Sequence, residues 1–549
     1  MTDSDSVRLT PLTQPEHTQP DQEEPDRADQ PGSAEPYVVI GHQQDRAVAR
    51  GPRVPGLIAA WCIGLALLIM VAAEVVRQDW MYPPLNLPAG GFPFDAVSLH
   101  VSIKLVVAAL WLACLLGAVG VGAGLVAARR GARPPMRLIL AAAALVVVVL
   151  AILPPGGSTD VLDYASYGRL LALGHNPYVV PPFYLRITDS GFGSQVPWRW
   201  QYQVSLYGPI ATFEQYGAAR LGGDSASRVV FWLKVWNALG FGLVAYVADR
   251  VLRSDPARRL RAHLLWTVNP LLVWGLVAAG HLDALAAGAG LLGLLVLGAQ
   301  SPSARPTLGR ALAAGALIGV AADIKINYLA FAVGLAWALR RRLAAIVVAG
   351  LGGLAVLAPT YAFFGSPAIT ALFARRNKST VDSFYRLTDL NAYYPYLGEV
   401  AVILLVGMAL LLLARLPAAD PLRPALRPAL ALSVAWLVIW PYQLPWYDAM
   451  AFCLLLLYPA SRLDWLLIAR LTAATLANTP GNPSPPPGAV LGKLDQLIVH
   501  TLAPGVLLAC AICLVVLCLT GYWRADPPGT LADLSRPPRG APQPAGELT

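Results

Sequence analysis

Apolar residues in this chain are gathered into long runs that alternate with short polar segments. About fourteen runs follow one another from residue 56 onward, and several are too short to cross a bilayer unless they tilt or are buried among neighbours. Runs of this length predict helices, so the pattern indicates an all-α polytopic membrane protein. The runs lie near 56–76, 101–127, 137–154, 229–250, 263–279, 281–299, 309–322, 326–339, 343–363, 397–414, 428–443, 446–459, 463–477 and 498–522.

Composition points the same way, because 56% of the 549 residues are hydrophobic and only 13% are charged. Soluble domains carry about 25% charged residues. The net charge of +9 is spread over arginines between the apolar runs, which argues against a nucleic-acid-binding face. All six cysteines lie inside apolar runs, so we expect neither a disulfide framework nor a cysteine metal site.

The two ends of the chain differ from its middle. Residues 1–50 are rich in Asp, Glu, Gln and Pro, and residues 523–549 are rich in Pro and Gly. Both compositions predict disordered tails. The first apolar run has the length of a retained span rather than of a cleaved signal peptide. We therefore expect one transmembrane domain over 51–522, between two tails.

Arginines in the short loops predict the orientation of the membrane domain. They precede the first run and follow the second, fourth, eighth and tenth runs, so an even number of crossings separates these groups. One side of the membrane collects them, which predicts that both tails are cytoplasmic. The opposite side then holds 77–100, 155–228, 364–396 and 478–497, with 155–228 as the main extracytoplasmic loop.

The main extracytoplasmic loop combines carboxylates, arginines and many aromatic side chains. Arginine outside the membrane runs against the positive-inside bias, and an anionic headgroup or phosphate would account for it. Aromatic rings beside carboxylates also suit a carbohydrate ligand, although a belt of interfacial aromatics explains part of the set. The residues concerned are Asp160, Asp163, Asp189, Glu214, Arg169, Arg186, Arg199, Arg220, Tyr164, Tyr167, Tyr178, Tyr184, Trp198, Trp200, Tyr202 and Tyr207.

A helix is predicted over 160–173, at the start of this loop. Its positions i, i+3, i+4 and i+7 are Asp160, Asp163, Tyr164 and Tyr167, which therefore share one face. The other face is apolar, so we expect an amphipathic helix at the interface, with its polar edge toward water or substrate. Asp160 either caps this helix or accepts a proton from a substrate hydroxyl, since a carboxylate at a helix start stays ionised.

Two further polar pairs interrupt the apolar runs. His281 and Asp283 mark the turn between the fifth and sixth runs, where they either bind substrate or cap the sixth helix. Asp323 and Lys325 lie between the seventh and eighth runs. They either form an intramembrane ion pair or leave Lys325 to reach an external phosphate.

Two external segments carry the remaining candidates. The 364–396 segment is basic and aromatic, which indicates either a lipid-phosphate site or a solvated charge run; its cations are Arg375, Arg376, Lys378 and Arg386. Trp446 and Tyr447 begin the twelfth run, where they suit either an interface anchor or stacking on a sugar.

Several short motifs follow one another between about residue 150 and residue 460. They are Ser158-x-Asp160-Val161-x-x-Tyr164, Gly174-x-x-Pro177-Tyr178, Ser205-Leu206-Tyr207-Gly208-Pro209, Gly280-His281-Leu282-Asp283-Ala284 and Pro445-Trp446-Tyr447. In this order they resemble the GT-C superfamily of polyprenol-phosphate-sugar-dependent glycosyltransferases, and in particular actinobacterial α-1,6-mannosyltransferase-like members. The chain departs from that pattern at Thr159, where the family often has Arg, and at Leu282, where it often has Asn.

The resemblance implies a GT-C type helical bundle with an extracytoplasmic catalytic loop that carries interfacial helices. It implies a cell-envelope enzyme that transfers mannose from a polyprenyl-phosphate donor to a glycan or glycolipid acceptor, with inversion. The family's catalytic carboxylate matches Asp160, which would be the general base. Arg169, Lys325 and Arg376 are the cations expected to stabilise the departing phosphate.

The resemblance and the loop chemistry together give one set of expected substrate contacts. The residues are Asp163, Tyr164, Tyr167, Arg169, Tyr207, His281, Asp283, Lys325, Arg376, Trp446 and Tyr447. The expected partners are a polyprenyl-phosphate sugar, a lipid-linked glycan and membrane lipids. No cofactor is expected: some GT-C relatives use a divalent metal, but no cage for one stands out in this sequence.

Three other interpretations compete with this one. A transporter or lipid flippase would place ionisable groups near the bilayer midplane, and only Asp323 and Lys325 fit that arrangement. A polysaccharide-assembly scaffold would need no catalytic carboxylate. Within the enzyme class, transfer of another polyprenol-linked pentose or hexose is the alternative to mannose.

Overall fold

The computed structural model describes residues 53–76, 85, 101–298, 306–388, 395–417, 423–481 and 488–523. These residues form helices and connecting segments and contain no β-strand, apart from an isolated β-bridge position at Val76. The α-helices, numbered along the chain, are α1 Arg53–Val75, α2 Ile103–Arg129, α3 Met136–Ile152, α4 Asp160–Ala172, α5 Phe183–Thr188, α6 Ser190–Gly193, α7 Pro209–Gly222, α8 Ala226–Leu252, α9 Pro256–Leu265, α10 Pro270–Leu272, α11 Asp283–Leu295, α12 Leu308–Ile324, α13 Ala330–Leu339, α14 Leu343–Phe364, α15 Ser366–Ala371, α16 Leu397–Arg415, α17 Leu426–Ile439, α18 Ala449–Leu455, α19 Arg462–Asn478, α20 Ala489–Leu497 and α21 Ala503–Thr520.

The apolar runs correspond to helices, which confirms the all-α prediction. Among the described residues, six helices are long and apolar enough to cross a membrane: α1, α2, α8, α14, α16 and the continuous 489–520 segment. Shorter apolar helices lie beside them, such as α3 and α17. Of these two, α17 is largely buried among its neighbours, as its length predicts, whereas most of α3 is not buried. The chain is a multi-pass membrane protein.

One pair of helices is sharply bent. The Pro256–Ala278 segment and α11 meet at 112°, across a break of a few residues. The break contains Gly280, whose φ of +69° is a backbone conformation that favours glycine. A side chain there would also meet Val161 of α4 and Lys234 of α8 at about 3 Å. The bend therefore carries the 280–283 motif close to the start of α4.

Small residues allow the closest helix contacts. Gly315 of α12 faces Ala349 of α14, and a Cβ atom at residue 315 would lie 1.8 Å from the Ala349 carbonyl oxygen. Gly352 of α14 packs in the same way against the backbone of Leu312. Such small residues let helix backbones approach inside a membrane, where apolar surface alone gives little drive for association.

Three of the four segments predicted to share the outer side of the membrane come together; the fourth, 77–100, lies outside the described residues except for Leu85. Parts of 155–228, 364–396 and 478–497 line two neighbouring cavities. The arginine-rich loops meet elsewhere: Arg129, Arg258 and Arg261 contact residues of the 455–464 segment. The predicted tails, 1–50 and 523–549, lie outside the described residues except for Trp523.

Helix α4 forms where the sequence predicts it, but its surroundings differ from the prediction. Both of its faces are covered by protein, and Asp163, Tyr164, Ser166 and Tyr167 are buried along with its apolar side chains. Gly168 explains the tight packing, because a Cβ atom there would lie 2.1 Å from the carbonyl oxygen of Gln215 in α7. The polar edge was expected to face water or substrate; Asp160, Asp163 and Tyr167 face a cavity, which agrees with the second of these alternatives.

Candidate functional site

A cavity of about 660 Å³ opens beside the first turn of α4. One end carries carboxylates and cations, and the other is lined by aliphatic and aromatic side chains from α13, α16 and α17. Its polar lining comprises Asp160, Asp163, Tyr167, Gln203, Tyr207, Lys325, Asn327, Arg375, Arg376, Tyr442 and Tyr447. Its apolar lining includes Ile326, Leu329, Ala330, Val333, Leu405, Val406, Ala409, Leu432, Trp436 and Trp440. We call this the first cavity.

A second cavity of about 410 Å³ adjoins the first. The residues shared by the two linings are Asp160, Trp200, Arg375, Tyr442 and Leu444. Asp160 is therefore at the junction, accessible from both sides. Trp446 lines only the second cavity, and Tyr447 only the first.

Asp160 is the first residue of α4 and does not cap it. The cap position is Thr159, whose side chain makes no capping bond. Instead the Ser158 hydroxyl accepts a hydrogen bond from the Asp160 backbone N–H at 3.2 Å. The interpretation of Asp160 as a helix cap is thus wrong, and its carboxylate is left to face the cavities.

The segment before Asp160 is fixed by close contacts. Gly157 has a φ of +76°, and a Cβ atom there would lie 2.6 Å from the indole nitrogen of Trp274. The buried Lys234 ammonium donates to the carbonyl oxygens of Leu153 and Pro154 at 2.7 and 3.1 Å. These contacts fix the backbone that leads into α4 in one conformation and so set the position of the Asp160 carboxylate.

The two carboxylates of the first turn differ in acidity. Burial raises the pKa of Asp160 to about 6, and the nearby Lys325 and Arg375 charges oppose a larger rise. Burial and the Asp160 carboxylate together raise the pKa of Asp163 well above its usual range. Two neighbouring carboxyl groups whose environments push their pKa values apart are suited to different roles.

Lys325 provides a buried positive charge at the first cavity. Its ammonium contacts the two Asp283 carboxylate oxygens at 2.8 and 2.7 Å, and lies 3.8 Å from the centre of the Tyr447 ring. The predicted ion pair with Asp323 is wrong. Asp323 instead accepts from the Ile210 N–H at 2.9 Å and from the Thr360 hydroxyl, because Lys325 ends α12 in an extended conformation that directs it toward α11.

Arg375 is the cation that lines both cavities. It donates to the Tyr442 hydroxyl at 3.1 Å and to Gln203 Oε1 at 3.4 Å, and stacks over the Trp200 ring at 4.5 Å. Its Nε is buried without a hydrogen-bond partner among the described residues. Sequence reasoning placed the phosphate contact on Arg376, which lines the first cavity only. The basic run around residues 375–378 indicates a phosphate contact in the sequence, but it does not show which of Arg375 and Arg376 makes that contact.

Behind the lining lies a connected set of aromatic side chains. The Tyr164 hydroxyl is 2.9 Å from His281 Nδ1, and Tyr207 donates to the Tyr164 oxygen at 3.3 Å. The His281 ring stacks on Trp446, with centroids 3.6 Å apart. His281, Asp283 and Tyr164 line neither cavity, so they support the lining residues rather than face the open space.

Arg169 lies away from the two cavities. It forms ion pairs with Asp189 at 2.8 Å and with Asp224 at 2.7 Å, and these tie α4 to the loops around 189 and 224. The predicted residues that do reach the first cavity are Asp160, Asp163, Tyr167, Tyr207, Lys325, Arg376 and Tyr447. Within the described part of the chain, no group of three His, Cys, Asp or Glu side chains is placed to hold a metal ion.

Comparison with known proteins gives a family match over most of the described helices. Residues 53–341 match a family model described as "Alpha-(1->6)-mannopyranosyltransferase, N-terminal domain". A probable alpha-(1->6)-mannopyranosyltransferase of Mycolicibacterium smegmatis is 30% identical over 161 residues, which is 28% of each chain. Alpha-(1->6)-mannopyranosyltransferase B of Corynebacterium glutamicum is 25% identical over 141 residues, 26% of this chain and 23% of that protein. The aligned chain thus spans about a quarter of the length of these relatives.

Among solved structures, ArnT from Cupriavidus metallidurans bound to undecaprenyl phosphate is 18% identical. The superposition covers 71% of this chain and 78% of ArnT, with a TM-score of 0.38. The family model, in contrast, covers more than half of the chain and includes α4, the 280–283 motif and Lys325. The chain therefore belongs to the alpha-(1->6)-mannopyranosyltransferase family.

Proposed function

We propose that this protein transfers a mannosyl residue from a polyprenyl-phosphate donor to a hydroxyl of a glycan or glycolipid acceptor. Transfer takes place on the extracytoplasmic face, with inversion, and Asp160 is the general base. The observation that carries the proposal is the position of Asp160, at the junction of two cavities of different chemistry. A group-transfer enzyme must bring two substrates to one base, and this junction provides such a meeting point.

The first cavity suits a lipid-linked donor. Its aliphatic wall, built from α13, α16 and α17, can cover an isoprenoid chain, because such a chain offers only apolar surface. Its charged end brings Lys325, Arg375 and Arg376 near Asp160. A phosphate there meets fixed positive charge in a poorly solvated site, where such charge stabilises a leaving anion most.

The reaction needs one proton acceptor and one stabilised leaving group. The acceptor hydroxyl gives its proton to Asp160 while its oxygen attacks the anomeric carbon. The bond between that carbon and the phosphate oxygen breaks, and the polyprenyl phosphate leaves with both electrons of that bond. Asp160 is the better base of the pair, because burial raises its pKa to about 6, whereas burial and the Asp160 carboxylate together raise the pKa of Asp163 well above its usual range.

The side of the membrane follows from the arginine distribution. When each of the fourteen apolar runs of the sequence is counted as one crossing, the loops rich in arginine are separated by even numbers of crossings, and positive loops tend to stay in the cytoplasm. The cavity-lining segments belong to the opposite set of loops. Both termini are therefore cytoplasmic in this proposal.

The test is a transfer assay with the purified full chain and labelled polyprenyl phosphosugars. Mannosyl, other hexosyl and pentosyl donors are offered together with glycan acceptors, and the product's anomeric configuration is read by NMR. Asp160→Asn should lower the mannosyl transfer rate about 10²–10⁴-fold, the usual contribution of a general base.

Asp224→Asn is the matched control, because its carboxylate is largely exposed and lines neither cavity. It should transfer at the wild-type rate. A fully active Asp160→Asn variant would overturn the assignment of the base. Transfer of a pentose in place of mannose would correct the donor and leave the base in place.

A further inference from the structure

The second cavity differs from the first in the character of its wall. Polar side chains from several loops face it, together with three aromatic rings and no long aliphatic wall. The polar members include Ser158, Thr159, Ser379, Thr380, Asp382, Asn478 and Thr479, and the aromatic ones are Trp200, Tyr442 and Trp446. Hydroxyls and amides suit a ligand that is rich in hydroxyl groups, and the rings can stack on the apolar faces of sugars.

Asp382 is an incompletely bonded group in this wall. Its side chain is only 1% exposed, and its Oδ2 accepts a long hydrogen bond of 3.4 Å from Asn478 Nδ2. Its Oδ1 has no hydrogen-bond partner among the described residues. A buried carboxylate oxygen without a partner is costly, so a ligand hydroxyl that donates to it gains a strong contact.

The loop that carries Asp382 is held by the rest of the protein. The Thr380 N–H donates to the Pro441 carbonyl oxygen at 3.1 Å, and the Tyr385 hydroxyl donates to the Ile439 carbonyl oxygen at 3.0 Å. Arg386 Nε donates to the Thr380 carbonyl oxygen at 2.9 Å. The carboxylate is therefore presented from a braced loop, as a preorganised binding group requires.

Charge around the second cavity is mixed. The cations of its lining are Arg199, Arg375, Lys378 and Arg386, and the carboxylates are Asp160, Asp382 and Asp495. Because the wall carries both positive and negative charges, it does not favour a ligand that is strongly anionic or strongly cationic along its whole length. A neutral chain with many hydroxyl groups can use both kinds of partner, as donor and as acceptor.

We infer that the second cavity binds the acceptor as a neutral, hydroxyl-rich glycan chain, with Asp382 as a specificity-determining contact for a sugar hydroxyl. The inference rests on the proposed function, since it takes the first cavity for the donor. The chain enters beside Asn478 and Thr380 and ends with one hydroxyl against Asp160. Asp382 then selects a sugar that offers a hydroxyl at the matching position, and it takes no part in bond making.

The experiment measures binding and transfer with the purified full chain. A neutral linear manno-oligosaccharide and the same chain with a reducing-end phosphate are titrated, and binding is followed by the fluorescence of the cavity tryptophans. Asp382→Ala should weaken binding of the neutral chain about 10-fold or more, since it removes a hydrogen bond to a charged group. In the transfer assay its acceptor KM should rise similarly while the donor KM stays within about two-fold.

Asp382→Asn keeps the side-chain volume and one acceptor oxygen, so its affinity for the neutral chain should lie between those of wild type and Asp382→Ala. Such a graded loss of affinity shows that the effect is not a folding defect. Wild-type affinity in Asp382→Ala, or binding of the phosphorylated chain alone, would overturn the inference. If transfer depends on Asp160 while Asp382→Ala keeps its acceptor KM, the proposed function stands and this inference falls. If binding of the neutral chain depends on Asp382 but no sugar is transferred, the second cavity remains a glycan site and the proposed transferase function falls.

Discussion

Two clusters of charged side chains in this protein differ in how completely their polar atoms are hydrogen-bonded. The first, here named the Asp464 cluster, consists of Arg129, Arg261 and Asp464. Arg261 binds both carboxylate oxygens of Asp464 at 2.8 and 2.6 Å, and its Nη1 and Nη2 also donate to the carbonyl oxygens of Tyr458 and Leu455. Every oxygen of that carboxylate is bonded. Such a group joins the helices α2, α9 and α19 and offers nothing to a ligand.

The second, the cavity cluster, consists of Asp160, Asp163, Lys325 and Arg375. Here Asp163 Oδ1 and Arg375 Nε have no hydrogen-bond partner among the described residues, and all four side chains line the first cavity. Native proteins satisfy nearly all buried polar atoms, so unsatisfied ones beside a cavity point to groups that a ligand completes. Bonding completeness, rather than charge itself, separates the Asp464 cluster from the cluster that lines the cavity.

The largest effect on stability is expected from Asp464→Asn. It leaves the Arg261 guanidinium buried without its charge partner, which should cost about 3–5 kcal/mol of unfolding free energy. Thermal unfolding in detergent measures the loss, and the transfer rate per folded molecule should not change. The double variant Arg261→Met with Asp464→Leu should regain most of the stability, because it removes both charges together. A large loss of turnover in folded Asp464→Asn would contradict the comparison.

A comparable effect, on rate rather than stability, is expected from Lys325→Met. The variant removes fixed positive charge beside the leaving phosphate, and loss of such a group costs about 10²–10³-fold in kcat. Single-turnover transfer measures it.

The control for Lys325→Met removes its partner as well. Lys325→Met combined with Asp283→Leu leaves no lone buried charge, so it separates catalysis from folding. The double variant should stay slow. If it recovers the wild-type rate, Lys325 belongs with the Asp464 cluster as a structural charge.

A smaller effect should follow from narrowing the apolar end of the first cavity. Ala330→Trp places an indole in the wall, and the crowding should raise the KM for a long-chain donor about 10-fold. A donor with a short isoprenoid tail should be affected less, because it does not reach that wall. Leu410→Trp is the control, since Leu410 is exposed on α16 and lines neither cavity. Equal effects of both variants on both donors would contradict the assignment of this end to the lipid.

The smallest effect concerns pH. The base must be ionised, so kcat/KM should rise with pH through about 6 and then level off. Arg199 lowers the pKa of Asp160 from an exposed position, and its charge is screened by water. Arg199→Gln should therefore raise that pKa slightly and move the acid limb to higher pH. A shift to lower pH would contradict the assignment of Asp160 as the titrating base.

Most of the helices were predictable, and some of their contacts were not. Most apolar runs match helices within a few residues, and α4 ends near Gly174 as predicted, because period and composition act locally. The run 263–279 instead contains the end of α9, α10 and a short π-helix, and α7 in the main loop was not predicted. The pairing of Lys325 was wrong, since Asp323 is near in sequence but Asp283 is near in space. The burial of α4 on both faces was not predicted either, because sequence spacing gives the sides of a helix and not what covers them.

The site residues also divide into those that the sequence predicts and those that it does not. Asp160, Asp163 and Tyr167 were found from spacing on one helix, and they line the first cavity together. Arg375 and Asp382 were not singled out, because their importance depends on unpartnered atoms at a cavity wall. Arg169 carried the right charge in the right loop, yet Asp189 and Asp224 engage it.

By itself the sequence determined an all-α membrane protein, the places of its helices, the family motifs and a polar cluster at the start of α4. These depend on local apolarity and on the 3.6-residue helical period, which one chain segment carries alone. Only the tertiary structure decided that two cavities meet at Asp160, that Lys325 pairs with Asp283, and that Arg375 and Asp382 face open space. Those properties arise where segments distant in the sequence pack together and leave some buried polar atoms bonded and others not.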